Sequence, residues 1–509
     1  MNRDGTMESV WQAELRGITP VNGFVKDKVY DVLIVGAGIT GLSTALELQR
    51  RGKHCIIAEA YNAGFGSTGG TTAHLNTILD TSYRDMERAF SKEVARLVAA
   101  ATRQAIMKIG RNVEEFRVDC DFRYRNGYLF ATDEQQEQRL EEIVTSARDA
   151  GIGIDYSTQI PLHLRFRRAA VFGGQAQFHV AKYLSGLAAA FQQMGGVLLQ
   201  QAQVSELTTG ECYTAATTLG AIKAQHVVYA THLPPGVNIL NFRCAPYRSY
   251  AAALTLADGQ YPEALVYDLE EPYHYYRTQV INGASMLIAG GFDHKTGHND
   301  NTELVFRDME LFLRKNFSVE AINYKWSSQY YTSADGLPYI GGLPGYESVY
   351  AATGFIGNGM VYGTMSATII ADLILGNSNE LINVLSPGRI KPIAGFSEFV
   401  KENADVVAQF IGKRFAYEEV QQLAALAKGE ARLADWEGKK VALYKDENGK
   451  VHALNPVCPH AKCVVGWNSA EKTWDCPCHG GRYAANGALL TGPARRGLEQ
   501  IITEHIQGD

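Results

Sequence analysis

From Asp31 the chain reads DVLIVGAGITGLSTALELQRRGKHCIIAEA: an apolar run, a glycine turn, an amphipathic stretch and a second apolar run ending at Glu59. The change from a continuous apolar run to a spacing of three and four predicts strand, turn, helix and strand. Helical periodicity dominates residues 83–117 and 134–149, and FHVAKYLSGLAAAFQQMGG reads as a further amphipathic helix closed by glycine. GGVLLQQAQVSEL and AIKAQHVVYATHLPP follow as strands. Over residues 245–330 apolar and polar positions alternate, most clearly in YHYYRTQ and SMLIAGGFDH, which predicts an antiparallel sheet inserted into the α/β unit. GTMSATIIADLILGN predicts the helix that closes this part.

The pattern then breaks. SNELINVLSPGRIKPIAG carries the Pro/Gly/Asn punctuation of a linker, and FSEFVKENADVVAQFIGKRF has the spacing of a connecting helix. The expected organisation is a large unit over 1–376, a linker and helix over 377–415, and a small strand-rich domain over 416–509. No fixed-period repeat stands out, which sets solenoids aside.

Composition narrows the classes. A chain of 509 residues exceeds one ordinary core, and 46% apolar with 20% charged residues is globular usage. A net charge of −6 without a sustained Lys/Arg run argues against nucleic acid or an anionic membrane as partner, and RFRR at Arg165 to Arg168 reads as a solvated turn. The N-terminal residues lack an export pattern and no run is apolar enough to span a bilayer, so a cytoplasmic location is expected. Four of the eight cysteines, Cys55, Cys120, Cys212 and Cys244, are scattered and read as small buried hydrophobes. Cys458, Cys463, Cys476 and Cys478 are clustered, which without an export signal favours a metal over a disulfide framework.

Gly36, Gly38 and Gly41 form a GxGxxG between strand and helix, and Glu59 ends the next strand about 20 residues on, where a carboxylate reaches ribose hydroxyls. The glycines permit the turn, the approach of a pyrophosphate and close helix packing, while the helix start offers free N–H groups. Two further stretches, GFGSTGGTTAHL and ADGLPYIGGLPGYESVYAATGFIGNGM, resemble the flavin-contacting segments of the FAD-dependent D-amino-acid oxidase, glycine oxidase and sarcosine oxidase family. The resemblance covers about residues 28–376 and implies a Rossmann-type α/β FAD domain with an inserted mixed or antiparallel substrate sheet. It implies that Ser67, Thr68, Thr71 and Thr72 lie on the flavin side, Val204 by the adenine, and Ala230 and Thr231 along the dinucleotide. Gly354, Gly357, Asn358, Gly359 and Met360 would face the isoalloxazine. Gly70 stands where some relatives place a flavin-linking histidine, so non-covalent FAD is expected.

On the substrate side, Arg277 occupies the place of a carboxylate-binding arginine, with a surface arginine on an edge strand as the alternative. His74 would touch substrate or satisfy a backbone group. Tyr275 and Tyr247 would line the pocket or pack in the core.

In CPHAKCVVGWNSAEKTWDCPCHGG the ligand-type residues fall as CxH and CxxH: Cys458, His460, Cys476 and His479. Two cysteines and two histidines also suit zinc, although zinc modules usually space paired ligands by two or more residues. The order resembles the Rieske family, and the resemblance, over about 416–509, implies a small all-β domain holding a [2Fe-2S] cluster. It implies a disulfide between Cys463 and Cys478 and a shielding loop at Gly492-Pro493. High-potential members carry a serine and a tyrosine two and four residues after the second histidine; here those positions are Gly481 and Tyr483, which predicts a lowered potential.

A flavin that takes two electrons beside a cluster that takes one is a two-to-one converter. The expected function is an FAD-dependent oxidoreductase removing hydride from a small-molecule amine or amino-acid-like substrate and passing electrons through the cluster to an external acceptor. Inward flow from an external donor, or a non-catalytic redox sensor or adaptor, are the alternatives. A Rieske oxygenase would need a mononuclear iron; FDHKTGH offers Asp293, His294 and His298 but reads as a polar loop.

Overall fold

The structure is a computed structural model describing residues 5–15, 17–19, 27–299, 301–389, 418–419, 426–436 and 439–501. The connecting helix expected over 396–415 and the boundary near Ala416 lie outside the described residues.

The strand Val29–Val35, buried along most of its length, pairs in parallel with Cys55–Ala58 on one side and Gly220–Tyr229 on the other. Val197–Leu199 and Val349–Thr353 extend the parallel sheet, Tyr339–Gly342 pairs antiparallel at one edge, and a hairpin of Val204–Thr209 and Tyr213–Thr217 completes eight strands. Helices Ile39–Arg50, Val180–Gln193 and Gly359–Leu375 are packed around it. The GxGxxG turn carries this packing: a side chain at Gly41 would fall 1.9 Å from the Gly36 carbonyl oxygen, so helix and turn meet only because residue 41 is glycine.

The second sheet has nine strands and is mixed. Its antiparallel part runs from Val319–Ser333 through Cys244–Leu256 and Ala284–Lys295 to His274–Ile281 and Leu265–Asp268, and Leu265–Asp268 then pairs in parallel with Arg123–Ala131. Arg123–Ala131, Ile154–Ser157 and Arg168–Gln177 are strands absent from the expected pattern. The first begins RYRN, exposed or half-buried, and is continuously buried only from Leu129 onward, so its alternation is incomplete. RFRR is a loop whose last residue starts a strand, with Arg167 and Arg168 paired to Glu137 and Glu141. FDHKTGH is not a loop throughout: Phe292 to Lys295 continue a strand, because Tyr247 and Arg248 pair with Lys295 and His294.

The C-terminal unit consists of two four-stranded sheets around Trp474, Tyr483, Leu454 and Val465. Its seam with the larger unit is buried. Arg248 lies 3.6 Å from Asp475, Arg482 donates to Asp475 at 3.1 Å, and Arg248 donates to Ser327, which donates to Glu471. Residues near the N-terminus join in, with the Met7 amide donating to Glu471 at 3.1 Å. Cys55, Cys120 and Cys244 are buried as expected, whereas Cys212, in the turn of the Thr209/Tyr213 hairpin, is only half-buried.

Candidate functional site

A cavity of about 1070 Å³ runs from the GxGxxG turn to the second sheet. Gly36, Gly38, Glu59, Val204, Ala230 and Thr231 line its nucleotide end, while Gly41 stays behind the turn. Glu59 is buried and accepts from the Ala37 and Tyr61 amides at 2.7 and 3.0 Å; burial pushes its carboxyl above the ordinary range despite those donors. A group with the length of a dinucleotide fits this cradle: a side chain at Gly38 would fall 2.8 Å from Thr68 Oγ1, so the turn leaves backbone, not side chains, facing the space.

Ser67, Thr68, Thr71 and Thr72 line the middle of the cavity, and the carbonyls behind this segment are taken by four side chains in succession. Ser9 Oγ donates to Gly69, Trp326 Nε1 to Gly70 at 2.8 Å, Trp11 Nε1 to Thr71 at 2.7 Å and Arg277 Nε to Thr72 at 2.5 Å. Arg277 is therefore neither a surface residue nor a cavity residue. Fully buried, it also donates to Gln279 Oε1 from Nη1 and to the Phe178 carbonyl from Nη2, and burial lowers it to about 9. The carboxylate-binding role expected for it is corrected: it does not line the cavity but clamps the Thr72 carbonyl behind the Ser67–Thr72 segment.

Gly357, Asn358, Gly359 and Met360 line the far end at the start of helix Gly359–Leu375, whose first N–H groups lie at the cavity. Gly354 does not; its φ of +70° turns the loop, and a side chain there would meet Ser333 and Cys244. His74, Tyr247 and Tyr275 all line the cavity. Burial and the Arg277 charge take His74 down to about 3, so the ring is neutral, 5.3 Å from both Tyr267 and Tyr275. Sequence reasoning missed Asp80, which also lines this end, and placed Asp293 in a loop. No periodicity marks either, because each is a single polar position whose partners come from other elements.

At the C-terminal unit, Cys463 and Cys478 are joined by a disulfide. Their sulfurs and that of Cys476 lie within 4.8 Å of one another, but the bond removes two of them as ligands and leaves Cys476 with the free, buried Cys458. The Nδ1 atoms of His460 and His479 are buried without hydrogen-bond partners, and burial keeps both rings neutral, the ligating form. Two free sulfurs and two orphaned imidazole nitrogens are the donor set of a Rieske cluster, and they fit it. Tyr483 Oη sits 2.9 Å from Cys458 Sγ; the neighbouring Cys476 and this hydroxyl bring the Cys458 thiol down to about 7.

The two sites adjoin. Gln329 and Tyr331 line the flavin-side cavity, and Gln329 Nε2 donates to the Gly480 carbonyl at 2.9 Å while Tyr331 Oη donates to the His479 carbonyl at 3.0 Å. His460 Nε2 lies 3.3 Å from the Gly236 carbonyl, and Leu489 to Gly492 form part of the cavity wall.

Residues 31–373 match the family of FAD dependent oxidoreductases, and residues 416–502 match the Rieske [2Fe-2S] domain. A Bacillus subtilis (strain 168) protein named as a Rieske 2Fe-2S iron-sulfur protein, YhfW, is 31% identical over 480 residues, 94% of each chain. Gamma-glutamylputrescine oxidoreductase of Escherichia coli (strain K12) is 22% identical over 389 residues, 73% of this chain and 90% of that one. Glycine oxidase from Geobacillus kaustophilus superposes with a TM-score of 0.59 at 19% identity, covering 71% of this chain and 99% of that one. Among the described residues no helix is long and apolar enough to cross a membrane. With the dinucleotide cradle, a donor set that fits the cluster and both domain matches in one chain, the protein belongs to the FAD dependent oxidoreductases and carries a C-terminal Rieske [2Fe-2S] domain.

Proposed function

We propose that the protein is a dehydrogenase that oxidises the carbon–nitrogen bond of an amine or amino-acid-like substrate and exports the electrons through its Rieske domain to an external acceptor. The observation that carries this reading is the shared wall: Gln329 and Tyr331 line the flavin cavity and hydrogen-bond the loop that bears His479. Bound FAD accepts a hydride, and a bound [2Fe-2S] cluster carries one electron at a time. Gly36, Gly38, Glu59 and Ala230 would hold the nucleotide, with Gly41 letting the helix close on the turn behind them. Ser67 to Thr72 and the start of helix Gly359–Leu375 would face the flavin, and Cys458, Cys476 and the Nδ1 atoms of His460 and His479 would hold the cluster. Gln329, Tyr331 and His479 are all buried where the two sites meet. The relative named for gamma-glutamylputrescine supports an amine-type substrate.

Anaerobic addition of a panel of amines and amino acids, followed by visible absorption and EPR, tests the reading. Flavin bleaching followed by the EPR signal of a reduced cluster with histidine ligands is expected. A panel in which no compound bleaches the flavin would overturn it.

A further inference from the structure

The substrate end of the cavity is anionic and aromatic. Asp80 enters from the segment before helix Tyr83–Ala89, with its carboxylate against Gly357, where a side chain would fall 2.7 Å from Asp80 Oδ2. Asp293 enters from strand Ala284–Lys295 and accepts a hydrogen bond from Tyr330 at 2.8 Å. Ser249 Oγ is turned to Tyr275 Oη at 2.9 Å and to the Gly291 carbonyl at 3.4 Å, and Asp293 Oδ1 is left buried without a hydrogen-bond partner. Tyrosine rings enclose the two acids, with Tyr247 and Tyr330 centred 6.0 Å apart and Tyr273 and Tyr275 5.7 Å apart.

Among the described residues no Lys, Arg or His forms an ion pair with either carboxylate. Arg277 lies behind the Ser67–Thr72 segment, His74 is neutral, and no lysine of the described residues lines the cavity. Arg84 and Arg88, on helix Tyr83–Ala89 just after Asp80, and Arg139 also line the cavity, but Arg84 pairs with Glu142 and Arg139 with Glu271. Asp80 opens onto the cavity and Asp293 is half-buried beside it. Without an ion-pair partner, removal from bulk water raises Asp80 to about 7 and Asp293 to about 6, and the Asp293 charge adds to the rise at Asp80. An ammonium group placed between them supplies that partner, and the surrounding ring faces attract it further. A carboxylate in the same place meets two like charges and no donor cation.

We propose that this end of the cavity is an ammonium-binding site formed by Asp80, Asp293 and their tyrosine enclosure, so that the substrate class is alkylamines lacking a carboxylate on the reacting carbon. This rests on the amine-oxidation reading and narrows it. Isothermal titration of the full chain, loaded with FAD and cluster, with butyltrimethylammonium, tetramethylammonium and butyrate tests it without turnover. The two ammonium ions are expected to bind and butyrate not to, and Asp293→Asn and Asp80→Asn are each expected to weaken ammonium binding by about tenfold or more. Flavin and cluster absorbance of the variants checks that they fold, and the ligand selectivity of the unmodified chain stands without them. Butyrate binding without ammonium binding overturns the proposal, as does ammonium binding unchanged in both variants. If ammonium binds in an Asp293-dependent manner while no amine bleaches the flavin, the oxidation reading fails and the site stands; if amino acids bleach the flavin and ammonium does not bind, the reverse holds.

Discussion

Arg277 shows how a residue's role is set by what surrounds it rather than by its type. The four carbonyls from Gly69 to Thr72 are each met by a side-chain donor, and Arg277 supplies the last of them. In Arg277→Met the Thr72 and Phe178 carbonyls lose their buried partner, each at about 1–3 kcal/mol. The expected outcome is a lower melting temperature and weaker FAD retention, with KM for the substrate unchanged in the FAD-loaded fraction; a raised KM at full FAD occupancy would restore the carboxylate-binding role. At the cluster, a side chain at Gly481 would lie 3.8 Å from Cys458 Sγ and 3.3 Å from Tyr483 Oη, so a hydroxyl there reaches the sulfur. One added hydrogen bond favouring the reduced cluster by about 1 kcal/mol corresponds to about 40 mV in a one-electron couple. Gly481→Ser is therefore expected to raise the midpoint potential by about that amount, and Tyr483→Phe to lower it, in an EPR-monitored redox titration.

At the scale of elements, the strand Val319–Ser333 joins the two sites, because its inward residues reach the cavity and the cluster loop together. The loop approaches it at Gly480, with φ of +68° and room for no side chain: a Cβ would fall 2.6 Å from Gln329 Nε2 and 2.7 Å from Tyr331 Oη. Gly480→Ala costs about 1–2 kcal/mol from the backbone alone, and the clash forces loop and strand apart. In stopped-flow mixing with a reducing amine, flavin bleaching should keep its rate while cluster reduction slows; equal slowing of both would deny the strand this connecting role. The motifs local in sequence were readable: the strand, turn and helix after Asp31, and CxH with CxxH, place their residues through neighbours a few positions away. Strand Arg123–Ala131 was not, because its polar half is exposed and its register is set by a distant strand, Arg168–Gln177. Asp80 and Asp293 were invisible as a pair for the same reason, being brought together only when the second sheet closes over the flavin domain.

Across the whole molecule, the seam between flavin and Rieske units is a charge-balanced buried network. Arg248 and Arg482 face Asp475 and Glu471, all essentially without solvent, and Thr302 Oγ1 donates to Asn468 Oδ1 at 2.8 Å beside them. Removing one member of such a network costs about 3–5 kcal/mol, because the partner charges stay buried and uncompensated. Such a seam makes the docked arrangement the resting one, with His460 beside the Gly236 carbonyl and no swing of the small unit needed to bring the sites together. If transfer occurs within this docked body, cluster reduction after flavin bleaching should not depend on solvent viscosity, since no domain has to diffuse. Asp475→Asn breaks the balance without changing side-chain size. It should split a single calorimetric transition into two and make cluster reduction slow down as glycerol is added, while the rate of flavin bleaching stays put. Viscosity dependence already present in the unmodified chain would mean that the docked seam is only one station of a moving domain.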